Sequence, residues 1–189
     1  MSQIDIEDIG GETPEPIAGL ATRAWYARKS DFDTIVDTKK MQDDDPANVA
    51  ANFEELMEIN DDHVFNSGKC FKKIDFIQET GLIKTKLIGA TGGKLFENDV
   101  TIELQGSSSK LLGFLRAIKN DKLIVLVEEV GTGHIRQLGF SKYGAIPDAL
   151  DHEIAALVEG KNSATVTFKD KNFGPAPIYK GVISEAPAP

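Results

Sequence analysis

The chain has 189 residues and a net charge of −9, a size that suits one domain with a buried core and short extensions. A single cysteine, Cys70, excludes an intrachain disulfide, and no apolar run reaches the ~18 residues that a membrane-spanning helix needs. The negative charge also disfavours a protein that holds nucleic acid by its phosphates.

The acidic side chains are concentrated in two segments. Residues 1–16 carry five of them and residues 41–62 carry eight, and neither segment contains a lysine or an arginine. The simplest interpretation is that both segments are solvated. The alternative is that they become ordered when copies of the protein associate, in which case association should depend on salt concentration.

The predicted elements begin with a flexible acidic N-terminal arm, residues 1–18, which is rich in glycine and proline and has no core pattern of its own. Residues 20–29 predict a short strand. Residues 41–62 predict an acidic insertion that is either a helix or a loop. In the helical interpretation Asp45 caps the helix and Pro46 occupies its first position.

From Val64 onward the sequence predicts a series of short strands. The clearest alternation is in residues 98–106, where apolar side chains take one face and polar ones the other. The polar set is Asp99, Thr101, Glu103 and Gln105. Residues 107–120 predict one helix with a serine cap, and residues 122–129 predict a strand that is buried on both faces.

The last third of the chain adds shorter strands, with residues 147–157 open to either a helix or a strand. Residues 185–189 have the composition of a disordered tail. The fold class is therefore predicted to be mainly β. We expect an antiparallel β-sandwich or barrel with one flanking α-helix, formed by residues 19–184.

No residue pattern in the chain indicates a catalytic, metal or cofactor site. The three histidines are far apart in sequence and lack partners at metal-site spacing. Asp99 and Glu103 could share a face with Asp75, as the paired carboxylates of a glycosidase would, but alternation in a half-solvated strand explains them equally well. We therefore expect a protein that is not an enzyme and binds no cofactor or metal.

Four stretches of the chain follow one another in a characteristic order and spacing: residues 19–35, residues 65–106, residues 111–139 and residues 174–183. In this order and spacing they resemble the major tail tube proteins of tailed bacteriophages, notably those from phages of Bacteroidetes. Together these stretches cover most of the chain outside the arm, the acidic insertion and the tail.

This resemblance implies a structural virion protein, assembled in the host cytoplasm, that forms rings, usually of six copies. The inner sheets of a ring would join into one barrel, and rings would stack through arms and loops into a conduit for DNA. Partners would be further copies and other tail proteins: the tape measure, the tail terminator, and the baseplate or hub. DNA would pass through the lumen without specific binding, and no membrane would be involved.

The polar strand faces are the predicted wall of that lumen, and the lumen-facing residues would be Asp99, Thr101, Glu103, Gln105 and Asp75. A polar or negative wall would leave phosphates hydrated and mobile. Lysines at positions 72, 73, 84 and 86 count against a uniformly negative wall. Two alternatives stay open: a soluble β-sandwich module that binds carbohydrate or protein, and the tube protein of a phage-related secretion system of type VI.

Overall fold

The computed structural model describes residues 19–156 and 161–188. The expected N-terminal arm, residues 1–18, lies outside the described residues. The described part contains twelve strands, one α-helix and two short 3-10 turns, which confirms the prediction of a mainly β chain with one helix. The strands are β1 (Leu20–Arg28), β2 (Phe32–Thr34), β3 (Glu58–Ile59), β4 (Val64–Phe65), β5 (Lys72–Asp75), β6 (Leu82–Ile88), β7 (Leu95–Gln105), β8 (Leu123–Glu129), β9 (Ile135–Leu138), β10 (Ile146–Ile154), β11 (Asn162–Asn172) and β12 (Ile178–Tyr179), and the helix is α1 (Ser109–Ile118).

The larger sheet has six strands in the order β3-β12-β9-β8-β1-β5, and its neighbours run antiparallel except for β3 and β12. Strand β8 lies inside this sheet, and its residues from Leu123 to Val127 have no exposed surface. Successive side chains of a strand point to opposite faces, so both faces of the sheet are covered at this strand. The predicted double-sided burial of residues 122–129 is confirmed for this run.

The second sheet has four strands in the order β10-β11-β7-β6, all antiparallel. Alternate side chains of β7, among them Val100 and Ile102, are buried in one core with Val125 of the six-stranded sheet. The alternation predicted for this strand is therefore confirmed on its apolar side. Residues 147–157, which the sequence left open, form most of strand β10 up to Ile154.

Helix α1 follows β7 and closes this core. The hydroxyl of Ser108 accepts a hydrogen bond from the backbone N–H of Leu111 at 3.2 Å, so the predicted serine cap is present. Phe114, Leu115 and Ile118 lie on the side of the helix that contacts the core. Among the described helices, none has the length and hydropathy that would let it cross a membrane.

A second hydrophobic cluster covers the other face of the six-stranded sheet. Trp25 of β1 and Leu126 of β8 point to this side, where they meet aromatic rings from the segment between β1 and β5. The rings pack closely, with centroids 4.2 Å apart for one pair and 5.0 Å for another. They belong to Phe32, Phe65 and Phe71.

The acidic insertion, residues 41–62, contains no α-helix. Asp45 accepts a hydrogen bond from the backbone N–H of Ala47 and Pro46 takes the first position, as predicted, but they begin only a 3-10 turn, Pro46–Asn48. Turns follow, and the segment then reaches β3, where Ile59 is 2% exposed. Pairing of β3 with β12 draws this backbone into the sheet and overrides the local helical spacing.

The C-terminal residues make contacts that the composition did not predict. The indole N–H of Trp25 donates a hydrogen bond of 2.7 Å to the carboxylate of Glu185. The backbone N–H of Ala188 donates to the carbonyl of Lys69 at 2.9 Å, and the N–H of Gly68 donates back to Ala188 at 2.8 Å. Residues 185–188, expected to form a disordered tail, thus lie against the second hydrophobic cluster in this structure.

Buried polar side chains connect the two sheets. Asp170 of β11 is 1% exposed and accepts hydrogen bonds from the side-chain amide of Asn98 at 2.9 Å and the backbone N–H of Gly139 at 2.7 Å. The carbonyl of Gly139 accepts from the amide of Gln137 at 3.0 Å, and the amide oxygen of Gln137 is 2.8 Å from the Nε2 atom of His63. Asp170 and Asn98 belong to the four-stranded sheet, whereas Gly139 follows β9 of the six-stranded sheet.

We expect Asp170→Ala to lower the free energy of unfolding by about 2–4 kcal/mol, because two buried donors lose their acceptor. Asp170→Asn should cost less, about 1–3 kcal/mol, since its amide oxygen still accepts one of the two bonds. Urea unfolding measures both changes. The matched control is Asp148→Ala, whose side chain is 43% exposed. If Asp170→Ala and Asp148→Ala lowered the free energy of unfolding equally, the conclusion that Asp170 connects the two sheets would be contradicted.

His63 is held in a neutral form by its surroundings. Its Nδ1 atom accepts a hydrogen bond of 3.1 Å from the backbone N–H of Val36, so the ring proton resides on Nε2. The ring stacks on Tyr179 with centroids 4.6 Å apart. Burial lowers the pKa of His63 below its ordinary value, and the charges of Asp37 and Asp62 oppose this effect.

The depressed pKa of His63 predicts a loss of stability in mild acid. The contribution of the neutral ring is complete above its ordinary pKa of about 6.5 and is lost as pH falls through the lower pKa of the folded state. Between about pH 7.5 and pH 5.5, wild type should therefore lose more stability than His63→Gln, measured by urea midpoints. The control is His152→Gln, an exposed position. Identical pH profiles for wild type and His63→Gln would refute the effect.

Candidate assembly surface

The face of the four-stranded sheet that points away from the core, called the outer face below, collects most of the residues predicted for the lumen. They alternate along β7 with side chains buried in the core, so they project together on the opposite side. These residues are Asp99, Thr101, Glu103 and Gln105. Whether this face lines a lumen stays a prediction.

The carboxylates at one end of the outer face lie between lysines from the two neighbouring strands. The Nζ atom of Lys86 on β6 is 3.4 Å from Asp99 and 3.5 Å from Glu97. The Nζ atom of Lys169 on β11 is 3.8 Å from Asp99 and 3.9 Å from Glu97. Cross-strand pairing of opposite charges supports the sheet and leaves neither carboxylate as a free negative charge.

At the other end of the outer face, Glu103 is also paired. The Nζ atom of Lys161 is 2.6 Å from one of its oxygens, and the residue is 7% exposed. Hydrogen bonds from Lys161 and Ser163 hold the pKa of Glu103 below its ordinary value. Between the two charged groups, the hydroxyls of Thr101 and Thr167 are hydrogen bonded at 3.0 Å. This part of the face is neutral and polar.

The outer face therefore carries both signs of charge, close together. Lys84 lies opposite Asp99 in the register of β6 and β7, and Lys171 lies opposite Glu97 in the register of β11 and β7. Lys84 is one of the lysines that counted against a uniformly negative wall in the sequence analysis. Its side chain lies on the outer face. A phosphate that approached Lys86 or Lys169 would compete with the carboxylates already beside them.

Asp75 does not join this set. It lies on β5, at the edge of the six-stranded sheet, in register with Arg23 of β1. Its carboxylate pairs with Lys73 on its own strand, with 2.9 Å between the charged atoms. Sheet membership depends on pairing between distant parts of the chain, so the local alternation of residues 72–75 could not reveal it.

The two edges of the four-stranded sheet carry opposite charges. Strand β6 forms one edge and β10 the other, and each pairs with a described strand on one side only. On the outer face, β6 presents Lys84 and Lys86, whereas β10 presents Asp148, Asp151 and Glu153. Charged side chains on an edge strand oppose uncontrolled pairing, and this is the simplest function of these residues.

Sequence reasoning missed the partners of the predicted wall residues. Polar side chains at every second position of β11, including Thr165, Thr167 and Lys169, share the outer face with those of β7. Their period-two spacing is visible in the sequence and could have identified this strand as the neighbour of β7. The ion pair between Lys161 and Glu103 gave no such signal, because Lys161 precedes the strand.

The described residues offer little support for a metal site or for a sugar-binding platform. No three side chains among histidine, cysteine, aspartate and glutamate lie close enough there to hold a metal ion. Phe173 is 76% exposed and contacts Phe140, but the two rings are inclined by 62° and form no flat platform of the kind that would stack on a sugar. The outer face and its two edges are the most organised surface that the described chain presents.

The chain matches no protein family model, no curated protein and no solved structure.

Proposed function

We propose that the protein is a structural subunit that assembles into rings, and that stacked rings form the tail tube of a bacteriophage, a conduit for DNA. The observation that carries this proposal is the four-stranded sheet, with one polar open face and two open edges of opposite charge. The resemblance in the order of segments supports the same function. The sandwich architecture with a flanking helix, as in tail tubes, is part of the proposal.

The edges support association between copies in one orientation. If β6 of one copy lies beside β10 of the next, Lys84 and Lys86 approach Asp151 and Glu153, and the backbone groups of both edges find partners. The contact is heterologous, because each copy contributes a different edge. Such contacts repeat until the rotation between copies closes a ring, which removes every open edge.

The outer face supports a surface that DNA can pass without being held. Lysines such as Lys86 and Lys169 are already beside carboxylates, so a phosphate gains little by contacting them. The sequence predicted a polar or negative wall, and the mechanism proposed here is neutralisation of charge within a polar wall rather than repulsion by a negative one. A secretion tube would use the same edges, whereas a soluble binding module would leave them unpaired.

The first test concerns the edges. Lys84, Asp151 and Glu153 have no ion pair within the described chain, so reversing them disturbs few contacts inside the subunit. We expect Lys84→Glu to weaken association between copies roughly tenfold, because like charges would meet at every interface. Adding either Asp151→Lys or Glu153→Lys to the same chain should restore association, because each edge then carries one reversed charge. Sedimentation velocity over a concentration series and negative-stain microscopy measure rings and tubes.

The control for the edge test is Lys142→Glu, an exposed residue in the turn before β10. It should leave association unchanged. A wild-type protein that remains monomeric at every concentration would contradict ring formation itself. Rings that form equally well with Lys84→Glu would contradict the assignment of β6 as an interface strand.

The second test concerns DNA. Assembled wild-type protein should show no useful affinity for duplex DNA at physiological ionic strength. Replacing Asp99 and Glu103 by lysine adds two cations to each copy and removes two carboxylates. Lys161 then loses its partner in the described chain, and Lys86 and Lys169 each lose one of their carboxylate partners. DNA should then adhere to the tubes, with a steep loss of affinity as salt rises. Fluorescence anisotropy of a labelled duplex, at about 50 and 200 mM salt, measures this.

Asp75→Lys is the matched control, because it makes the same type of change on the other sheet. Thermal unfolding and microscopy must show folded, assembled protein, since Glu103 is nearly buried. DNA binding by the Asp75 control at the level of the double variant would contradict the outer face as the wall. If tubes of the double variant still do not bind DNA, the neutralisation mechanism is contradicted.

A further inference from the structure

Cations gather at one end of the six-stranded sheet, where α1 ends and β8 begins. Arg28, Lys29 and Lys122 line a shallow hollow of about 450 Å³ at the junction of β1 and the turn after α1, together with Asp121. Arg116 and Lys119 lie in the last turn of α1 and just beyond it. We call this group the basic end, and it consists of Arg28, Lys29, Arg116, Lys119 and Lys122. In a chain of net charge −9, such a concentration of cations at one place needs an explanation.

Most of the basic end has no acidic partner. Arg28 pairs with Asp121 at 2.7 Å. For Lys29, Arg116, Lys119 and Lys122, no carboxylate of the described residues lies within ion-pair distance. These cations contrast with the lysines of the outer face, where Lys86, Lys161 and Lys169 sit beside carboxylates.

The helix dipole accounts for part of this arrangement only. Arg116 and Lys119 lie in the last turn and just beyond it, where a positive charge stabilises an α-helix. Lys29 follows β1 and Lys122 precedes β8, so neither belongs to the helix. The backbone N–H of Lys29 donates a hydrogen bond of 2.8 Å to the carbonyl of Lys122, which brings these two positions together independently of the helix.

A segment of matching charge occurs in the same chain. Residues 1–16 contain five acidic side chains and no basic one. They precede Gly19, which adjoins the first residue of β1, whereas the basic end adjoins its last residue, Arg28. Nine strand residues separate these two ends by about 27 Å. The acidic segment and the cations thus belong to opposite ends of the same strand.

We propose that the basic end binds the acidic segment, residues 1–16, of a second copy of the chain stacked end to end along the direction of β1. Copies in this arrangement bring the Gly19 end of one subunit to the Arg28 end of the next, and the contact repeats along the stack. A contact with the subunit's own basic end would require the segment to return along the whole strand. The inference rests on the proposed self-assembly and specifies which surfaces meet between rings.

The test uses full-length protein in which ¹⁴N and ¹⁵N chains are mixed before assembly. A carbodiimide joins carboxylates directly to lysine amines, and mass spectrometry identifies the joined residues and their isotopes. We expect links from Asp5, Glu7 and Asp8 to Lys119 and Lys122, with mixed-isotope pairs as frequent as random mixing allows. Links confined to pairs of one isotope would overturn binding between copies in favour of binding within one chain.

Sedimentation of the same sample separates the two possible failures. Rings or tubes that form without links to the basic end would overturn this inference and leave the proposed function standing. Links that lead instead to lysines elsewhere, such as Lys84 or Lys142, would overturn it in the same way. A sample that stays monomeric would overturn the proposed function and this inference with it.

Charge variants test the same contact without cross-linking. The double variant Lys119→Glu with Lys122→Glu should stack at least tenfold more weakly than wild type at low salt. Its thermal unfolding midpoint should equal that of the control double variant, Lys94→Glu with Lys142→Glu. Replacing Asp5, Glu7 and Asp8 by lysine should cause the same loss. Combining both sets in one chain should restore part of the stacking, since the reversed residues again carry opposite charges. Failure of the combined variant to regain stacking while its rings form normally would overturn the pairing.

Discussion

The constraint on which the architecture depends is the carboxylate of Asp170, buried between the two sheets. Burial raises the pKa of this group, and hydrogen bonds from Gly139 and Asn98 oppose the shift. A buried carboxylate is tolerated only where donors replace its lost water, so the chain after β9 must stay where the Gly139 N–H can reach β11. Apolar contacts alone would hold the sheets together without fixing how they sit on each other, because hydrophobic burial has no direction. The polar joint supplies that direction.

The two sheets that Asp170 connects differ in how much of their surface is covered. The central strands of the six-stranded sheet are covered on both sides, by the four-stranded sheet with α1 and by the aromatic cluster around Phe32. The four-stranded sheet is covered on one side only, and both its edges are open. The contact proposed within a ring therefore uses β6 and β10, the two open edges of this sheet. The buried strand β8 lies inside the six-stranded sheet, and the four-stranded sheet packs against that sheet.

Local patterns predicted the elements whose environment is local, and failed where pairing is long-range. The alternation of β7, the burial of β8 and the Ser108 cap follow from neighbouring residues. The helix expected in residues 41–62 is absent because β3 pairs with β12, which lies more than a hundred residues away in the sequence. The buried joint had a signal that was overlooked. Asn98 falls in step with the apolar residues of β7, and Asp170 with those of β11, and a polar residue at a core position indicates a buried partner.

The same residue type performs different tasks here according to what lies beside it. Lys86 and Lys169 flank carboxylates on the outer face, and a ligand that used them would first have to displace Asp99 and Glu97. Lysines at the basic end have no such competitor in the described chain, so their full charge is available to an incoming anion. Net charge therefore describes this protein poorly. This chain is acidic overall, yet its cations are neutralised by ion pairs at Lys86 and Lys169 and have no described carboxylate partner at Lys29 and Lys122. The proposed DNA surface depends on the first arrangement, and the proposed contact with acidic segments depends on the second.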